Sequence, residues 1–323
     1  MSRLTPFEFR LFRKLEPLKL KGSRVLVACS GGMDSVALTY LLSRLSSRLK
    51  LELEVACVHH GESVEQELMR FRDQAVETVR ELAEGLALPF HVRRRVPEDS
   101  GELVSEAELR EFRHHALKEL AKDRSCQWIA FAHHSDDLLE TRLMRLARGT
   151  GAQGIEAMNL TGKNGILRPF LGESRDEIEA YARENGLKWI DDPSNRSTKP
   201  FRNWLRLKWL PLLERKRAGS VRNLAASLER LAQAVSRGKR EIPLLEATLD
   251  RTAFCELGIA EQRASLAALL LSLGAKDFTS AHIDEILKRF RSQKVRQTFT
   301  VLGLDWCCNA RQIEVRRAAK NEK

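Results

Sequence analysis

Aromatic side chains are scarce in this 323-residue chain, at 6% of positions with two tyrosines. A module that grips single-stranded nucleic acid on a sheet of stacked rings needs more, so that class is disfavoured. Long apolar runs are missing too. The longest, around Leu266–Leu273, is broken by Ser272 and falls far short of the ~20 residues that cross a bilayer. The opening "MSRLTPFEFR" has no apolar stretch or small-residue cleavage pattern; the expectation is no secretory leader, no membrane and a cytoplasmic chain. Cysteine occurs six times, at 29, 57, 126, 255, 307 and 308, but never as C-x-x-C. Buried free thiols in a reducing compartment fit that spacing. Also absent is the G-x-x-x-x-G-K-[ST] phosphate loop. A G-x-G-x-x-G does occur at Gly149–Gly154, but it follows a helical pattern rather than a strand, so it is rejected as a dinucleotide site.

What is present is charge, unevenly placed. Residues 1–194 carry 29 Lys and Arg against 31 Asp and Glu, whereas residues 195–323 carry 26 against 13, within a net charge of +11. A near-neutral body with a basic C-terminal part suits a polyanionic partner; the competing reading is an Arg-rich solvated helical surface.

Periodicity organises the first part. Thr5-Pro6-Phe7-Glu8 reads as a capped helix start, with the helix expected to run to about Lys21-Gly22. Four short apolar strands follow, "RVLVACS", "LELEVACVHHG", "PFHVRRRV" and "WIAFAHH", each succeeded by a helix-spaced segment. That alternation predicts an α/β fold with a doubly wound, mainly parallel, Rossmann-like sheet and right-handed crossovers. A further strand-turn-helix lies in "GILRPFLGESRDEIEAYARENG", with Ser174 and Glu177 as its capping box. Beyond a boundary near 215 the pattern is helical around 220–235, 261–273 and 280–290, ending in a short β-hairpin around Gly303. The expected domains are therefore 1–215 and a smaller, mostly helical 216–323.

Ligands of such sheets sit beyond the carboxyl ends of the strands, where three motifs fall: "SGGMDS", "HHG" and "HHSDD". In the first, Gly31 and Gly32 are expected to allow positive φ and close ligand approach. Backbone N–H groups at the following helix start form an anion nest, with Ser30 and Ser35 adding hydroxyls. Asp34 would repel bare polyphosphate and makes sense as a Mg²⁺ holder. The bland alternative is a tight turn capped by Ser35. In "HHSDDLLET", Asp137, Glu140 and Thr141 share one helical face; helix capping and an independent His–Asp metal site are the alternatives.

"SGGMDS" after a strand resembles the signature loop of the N-type ATP pyrophosphatases, the PP-loop family, which cleave ATP between the α- and β-phosphates. Within it the chain resembles the tRNA(Ile)-lysidine synthases, through "VHHG" (58–61), "EAELREFRHHAL" (106–117), "HHSDDLLET" (133–141), "RGTG" (148–151), "LRPFL" (167–171), "DDPSN" (191–195) and "FRNWLR" (201–206). The match covers the first two-thirds in order; the last third matches loosely. Longer members carry an extra C-terminal module that this chain is expected to lack.

The resemblance implies a catalytic domain at 1–215 and a tRNA-binding domain at 216–323. The activity implied is ATP- and Mg²⁺-dependent attachment of L-lysine to C2 of the wobble cytidine of a tRNA(Ile) with a CAU anticodon, through an adenylated cytidine, with AMP and pyrophosphate released. ATP contacts are expected from Ser30, Gly31, Gly32, Met33, Asp34, Ser35 and His60. Asp34, Arg113, His134, Asp137 and Glu140 are the catalytic candidates, with Asp34 and Glu140 on Mg²⁺. Arg110, Asp137, Glu140, Arg202, Asn203 and Arg206 are candidates for lysine or cytidine. Arg110 and Arg113, three apart on one helix, could equally pair with nearby glutamates. His114-His115 reads as solvated. Family members include homodimers. A PP-loop tRNA thiolase is the rival enzyme, but it needs placed thiolates, for which the chain offers only adjacent Cys307-Cys308. The third reading is a non-catalytic RNA-binding protein that keeps the fold.

Overall fold

The computed structural model describes residues 3–61, 66–96, 106–150, 152–237, 248–275, 278–290 and 296–317. These divide into two units: residues 1–138 with 158–209, and residues 139–157 with 210–323.

The first unit is built on β1 (Arg24–Ala28), β2 (Glu52–His59), β3 (Phe90–Arg94), β4 (Trp128–Ala130), β5 (Thr161–Gly162) and β6 (Ile166–Leu167), ordered β3-β2-β1-β4-β6-β5. All neighbours pair in parallel except β5 with β6. The central strands β1 and β4 carry unbroken apolar runs, Val25–Val27 and Trp128–Ala130, because both faces are covered. In β1, Val25 and Val27 enter the core under α1 (Pro6–Leu15), α2 (Met33–Leu49) and α6 (Arg175–Glu184). Leu26 enters the opposite one, with Leu117, Leu120 and Ala121 of α4 (Glu106–Asp123). α3 (Gln66–Gly85) covers Val55 and Cys57 with Val79 and Ala83. The helices change face where the strand order reverses, as right-handed crossovers require. β1 is thus flanked by β2 on one side and β4 on the other, and the loops after β1 and β4 flank the reversal, where sheets of this kind take their ligands.

The capping boxes at Thr5–Glu8 and Ser174–Glu177 form as expected. α1, however, ends at Leu15 rather than near Gly22, and Glu16–Leu18 tightens into a 3₁₀ turn. Pro17 explains the early stop, since its ring collides with the carbonyl four residues back. Glu8, 1% exposed, joins this helix to its neighbours: its carboxylate accepts from Arg44 Nε at 3.0 Å and from the Tyr181 hydroxyl at 3.0 Å.

The second unit holds α8 (Leu210–Lys216), α9 (Ser220–Arg237), α10 (Arg251–Glu256), α11 (Ile259–Ser272) and α12 (Ser280–Phe290). Its sheet is more than a hairpin: β7 (Thr248–Asp250), β8 (Gln297–Val301), β9 (Leu304–Cys308) and β10 (Gln312–Arg317) form one antiparallel sheet, ordered β7-β10-β9-β8. Leu302 and Gly303 both take positive φ, 59° and 67°, as a two-residue hairpin turn requires. Phe290 sits among Phe254, Phe299 and Trp306, and Trp306 is fully buried.

The division differs from a single cut at 215. It falls inside α5 (Ser135–Ala147), whose second half stays with the later residues. Arg142, 4% exposed, donates from Nε to the Ile155 carbonyl at 2.8 Å and from Nη2 to Glu229 at 2.8 Å. The rejected glycine motif lies where α5 ends, with Gly149 at φ +81°, so no strand leads into it.

Candidate active site

The loop after β1 closes on itself. Ser35 Oγ donates to the Gly32 carbonyl at 2.9 Å and accepts the Ser30 N–H at 3.0 Å. Ser35 is 7% exposed and its hydroxyl fastens the loop, whereas Ser30 carries the exposed hydroxyl. The two glycines also separate in role. Gly31 has φ +80°, and a Cβ there would lie 3.1 Å from the Ala75 carbonyl oxygen. Gly32 is extended, at φ −77°, and caps α2. A Cβ on Gly32 would find nothing nearer than Ser30 Oγ at 3.7 Å. Gly31 therefore answers to the fold, while Gly32 leaves room beside the N-terminus of α2, where free backbone donors favour an anion. Met33 buries its side chain in the core at 4% exposure, so only its backbone faces the crevice.

Asp34 and the start of α5 meet across the reversal of strand order. His134 Nε2 lies 3.4 Å from Asp137 Oδ2 and 3.9 Å from Asp34 Oδ2. Both oxygens of Asp137 are engaged: Oδ2 accepts the His134 N–H at 3.2 Å, and Oδ1 accepts Arg202 Nη2 at 3.2 Å, with Arg206 Nη2 at 3.8 Å. The capping reading thus accounts for one oxygen and leaves the other to the arginines. Burial pushes Asp137 up, but His134, Arg202 and His133 outweigh it and hold its carboxyl below the usual carboxylate range.

Asp34 behaves the opposite way. Burial raises it, and the pull of His134 and Arg175 does not compensate, with Asp137 adding like-charge repulsion. Its Oδ1 is buried without a hydrogen-bond partner. An orphaned, destabilised carboxylate oxygen beside an anion nest is a fit place for a divalent cation. Among the described residues no three His, Cys, Asp or Glu side chains converge on a common metal position. Mg²⁺ takes one or two carboxylates plus phosphate oxygens, a demand that Asp34 can meet in part. Glu140 lies one turn past Asp137 on α5 and is 1% exposed.

Around this pair stand cations and neutral histidines. His59 is a strut: Nδ1 accepts the Gly61 N–H at 3.1 Å and Nε2 contacts Asp73 at 3.1 Å. Gly61 needs its glycine, with φ +84° and a Cβ position 2.7 Å from the Arg95 carbonyl. His60 has a buried, unpartnered Nδ1, and burial, then Arg113 and Arg72, hold it down at about 4. His133, equally orphaned at Nδ1, is lowered to about 4 by burial, against Asp137 and with Arg168 and Arg110. Arg110 and Arg113 of α4 thus bear on the histidines of two strand ends. His114 is not solvated: its ring packs 5.4 Å from that of Phe131, and burial with Arg110 and Arg113 holds it at about 4. His115 is the exposed member, paired with Glu119.

Asn203 is drawn elsewhere. Its amide donates to the Ser194 and Ser197 carbonyls at 3.1 and 2.9 Å, tethering the turn at 193–197. Arg175 and Arg168 escaped the sequence reading; Arg175, first residue of a capped helix, looks like ordinary surface charge. Burial pushes Cys57 up to about 12 and Cys126 and Cys308 to about 11, away from the thiolate that sulfur chemistry needs.

Comparison with known proteins gives this geometry a context. Residues 5–213 match the family model described as the PP-loop domain. A tRNA(Ile)-lysidine synthase of Bdellovibrio bacteriovorus is 43% identical over 306 residues, 92% of either chain. The synthase of Azoarcus sp. is 34% identical over 302 residues, 88% of this chain and 64% of that one. That of Nitrosomonas europaea is 34% identical over 233 residues, 69% and 48%. The chain therefore spans nearly the whole of the first relative and about half to two-thirds of the other two. Among solved structures, the U34-tRNA thiolase NcsA of Methanococcus maripaludis superposes with a TM-score of 0.58 over 74% of this chain and 81% of that one. At 17% identity this likeness concerns the fold.

Two predictions follow from the geometry. Gly31→Ala forces a side chain into positive φ against backbone and lowers the unfolding free energy by about 2 kcal/mol or more. Gly32→Ala costs less than about 1 kcal/mol. Urea denaturation of both variants checks the contrast, and equal losses would refute it. The second concerns pH. His60, His114 and His133 titrate near 4 when folded, against about 6.5 unfolded. The unfolded chain therefore binds more protons between those values, so stability falls as pH drops from 6.5 to 4. The melting temperature of His114→Phe should fall less steeply over that window than that of the unsubstituted protein.

Proposed function

The chain belongs to the tRNA(Ile)-lysidine synthase family of PP-loop proteins, and from that membership we propose that it ligates L-lysine to C2 of the wobble cytidine, C34, of a tRNA(Ile) with a CAU anticodon, at the expense of ATP. The observation that carries the reading is the orphaned Asp34 carboxylate beside the open Gly32 nest, facing an Asp137 already locked by arginines.

The reaction runs in two displacements. O2 of C34 attacks the α-phosphorus of ATP, forming the O2–P bond as the bond to the β-phosphate oxygen breaks and pyrophosphate leaves. The ε-amine of lysine then attacks C2, the C2–O2 bond breaks, AMP departs and the amine loses a proton. Ser30, Gly31, Gly32, Met33 and Asp34 line the pyrophosphate side, with backbone donors preorganised for the charge that develops there; Ser35 keeps the loop closed. Asp34 and Glu140 would hold Mg²⁺, which would supply positive charge against the polyphosphate. Arg110 and Arg113 supply fixed positive charge to the transferring phosphoryl group, and His60 lines the nucleotide as a neutral donor or acceptor.

Lysine must arrive as a neutral amine although its free pKa is about 10.4. Asp137 is a poor base, because His134 and Arg202 stabilise its ionised form. We assign it to orientation of the lysine α-ammonium and of Arg202 and Arg206. His134 holds the two aspartates in register. The basic residues of 216–323 bind the tRNA. No described helix is long and apolar enough to cross a membrane, and the proposed setting of the reaction is the cytoplasm.

Incubation with Mg·ATP, labelled lysine and a tRNA(Ile) transcript bearing CAU tests the proposal. The expected result is label in the RNA that requires ATP and C34, reduced at least about 100-fold in Asp34→Asn. Pyrophosphate release without label would contradict lysine as the nucleophile, and label independent of ATP would contradict the adenylation step.

A further inference from the structure

Between Pro193 and Leu213 the chain carries five Lys or Arg, at 196, 199, 202, 206 and 208, and no Asp or Glu. Within this strip α7 (Phe201–Trp204) starts immediately after Pro200. Helical spacing places Phe201 and Trp204 on one side. Their rings stack, with centroids 5.7 Å apart and planes 15° apart. Yet Phe201 remains 45% exposed and Trp204 40%, and Leu207 extends the strip at 40%. Phe170, Tyr181 and Trp306 of this aromatic-poor chain are buried, and although Phe9 is also exposed, at 56%, Phe201 and Trp204 are exposed as a stacked pair. Two adjacent rings left in water, rimmed by cations, mark a binding surface more than a packing remainder.

The pair is also fixed to the site. Arg202, between the two rings in sequence, reaches Asp137 with Nη2 at 3.2 Å. Asn203 ties α7 to the 193–197 turn that carries Arg196. A wide helical turn at Leu205–Trp209 follows directly, presenting Arg206 towards Asp137; such π turns concentrate at functional positions. The outer strip therefore displays rings and exposed cations, Arg196, Lys199 and Lys208, while the inner side of the same helix holds the aspartate.

We propose that Phe201 and Trp204 form a stacking platform for an unpaired nucleotide next to the reacting one, with Arg196, Lys199 and Lys208 against the RNA backbone. A ring face accepts any base without hydrogen-bond readout, so the platform grips the loop and leaves sequence discrimination to the crevice. Low aromatic content excludes an extended stacking sheet but not two rings placed beside the reaction. The inference rests on the reading of RNA as substrate.

The test uses the full chain and an anticodon stem–loop RNA with a CAU loop. Dissociation constants come from anisotropy, and KM values for tRNA and ATP from the ligation assay. Phe201→Ala and Trp204→Ala should each weaken RNA binding and raise KM for tRNA by about 5- to 150-fold, the worth of one stacked base. KM for ATP should stay unchanged, and Trp204→Phe should recover most of the loss. RNA should quench tryptophan emission in the unsubstituted protein and much less in Trp204→Phe, a readout independent of whether the alanine variants fold. The salt dependence of binding should flatten in Lys199→Ala but not in Trp204→Ala. Unchanged RNA affinity in both alanine variants, or quenching retained in Trp204→Phe, overturns the platform and leaves the RNA reading intact. Failure of the unsubstituted protein to bind the stem–loop overturns the reading beneath it.

Discussion

Two carboxylates of like charge, Asp34 and Asp137, are brought to one strand edge and half withdrawn from water, and the site depends on how that conflict is resolved. Each would raise the other's cost of ionisation. The fold answers asymmetrically. Asp137 receives a backbone N–H, His134 and two arginines, and stays ionised. Asp34 receives the more distant edge of His134 and the long-range pull of Arg175, and keeps one oxygen without a partner. The first is a fixed charge that orients its neighbours; the second keeps an oxygen that suits the cation of the proposed reaction. This division of labour needs β1 and β4 to be neighbours, and so follows from the strand order.

Much of the fold was legible because its signals are local. Alternating apolar strands and helices predicted the parallel sheet, and two capping boxes marked their helix starts to the residue. The same locality explains the misses. Pro17 was a readable stop for α1 that the apolar pattern overrode. That the second half of α5 stays with later residues rests on Arg142 finding Glu229, 87 positions away; no short window carries such a pairing.

At the site, residue types were legible but their directions were not. "SGGMDS" announced a phosphate loop, yet Ser30 and Ser35 look alike in sequence and only the closed turn shows which one faces outward. Gly31 and Gly32 likewise differ only once Ala75 is packed against the first. His114 and His115 separate because one side of α4 lies on Phe131 and the other faces water. Phe201 and Trp204 passed as unremarkable members of a family motif; their meaning comes from being exposed together, and exposure is a property of the folded chain.

The central claim is the asymmetry between the aspartates, and titration calorimetry of ATP into the protein with and without Mg²⁺ tests it most directly, using Asp34→Asn and Asp137→Asn. The account predicts that Mg²⁺ tightens ATP binding in the unsubstituted protein and in Asp137→Asn, and that this enhancement disappears in Asp34→Asn. Enhancement kept in Asp34→Asn and lost in Asp137→Asn would contradict it.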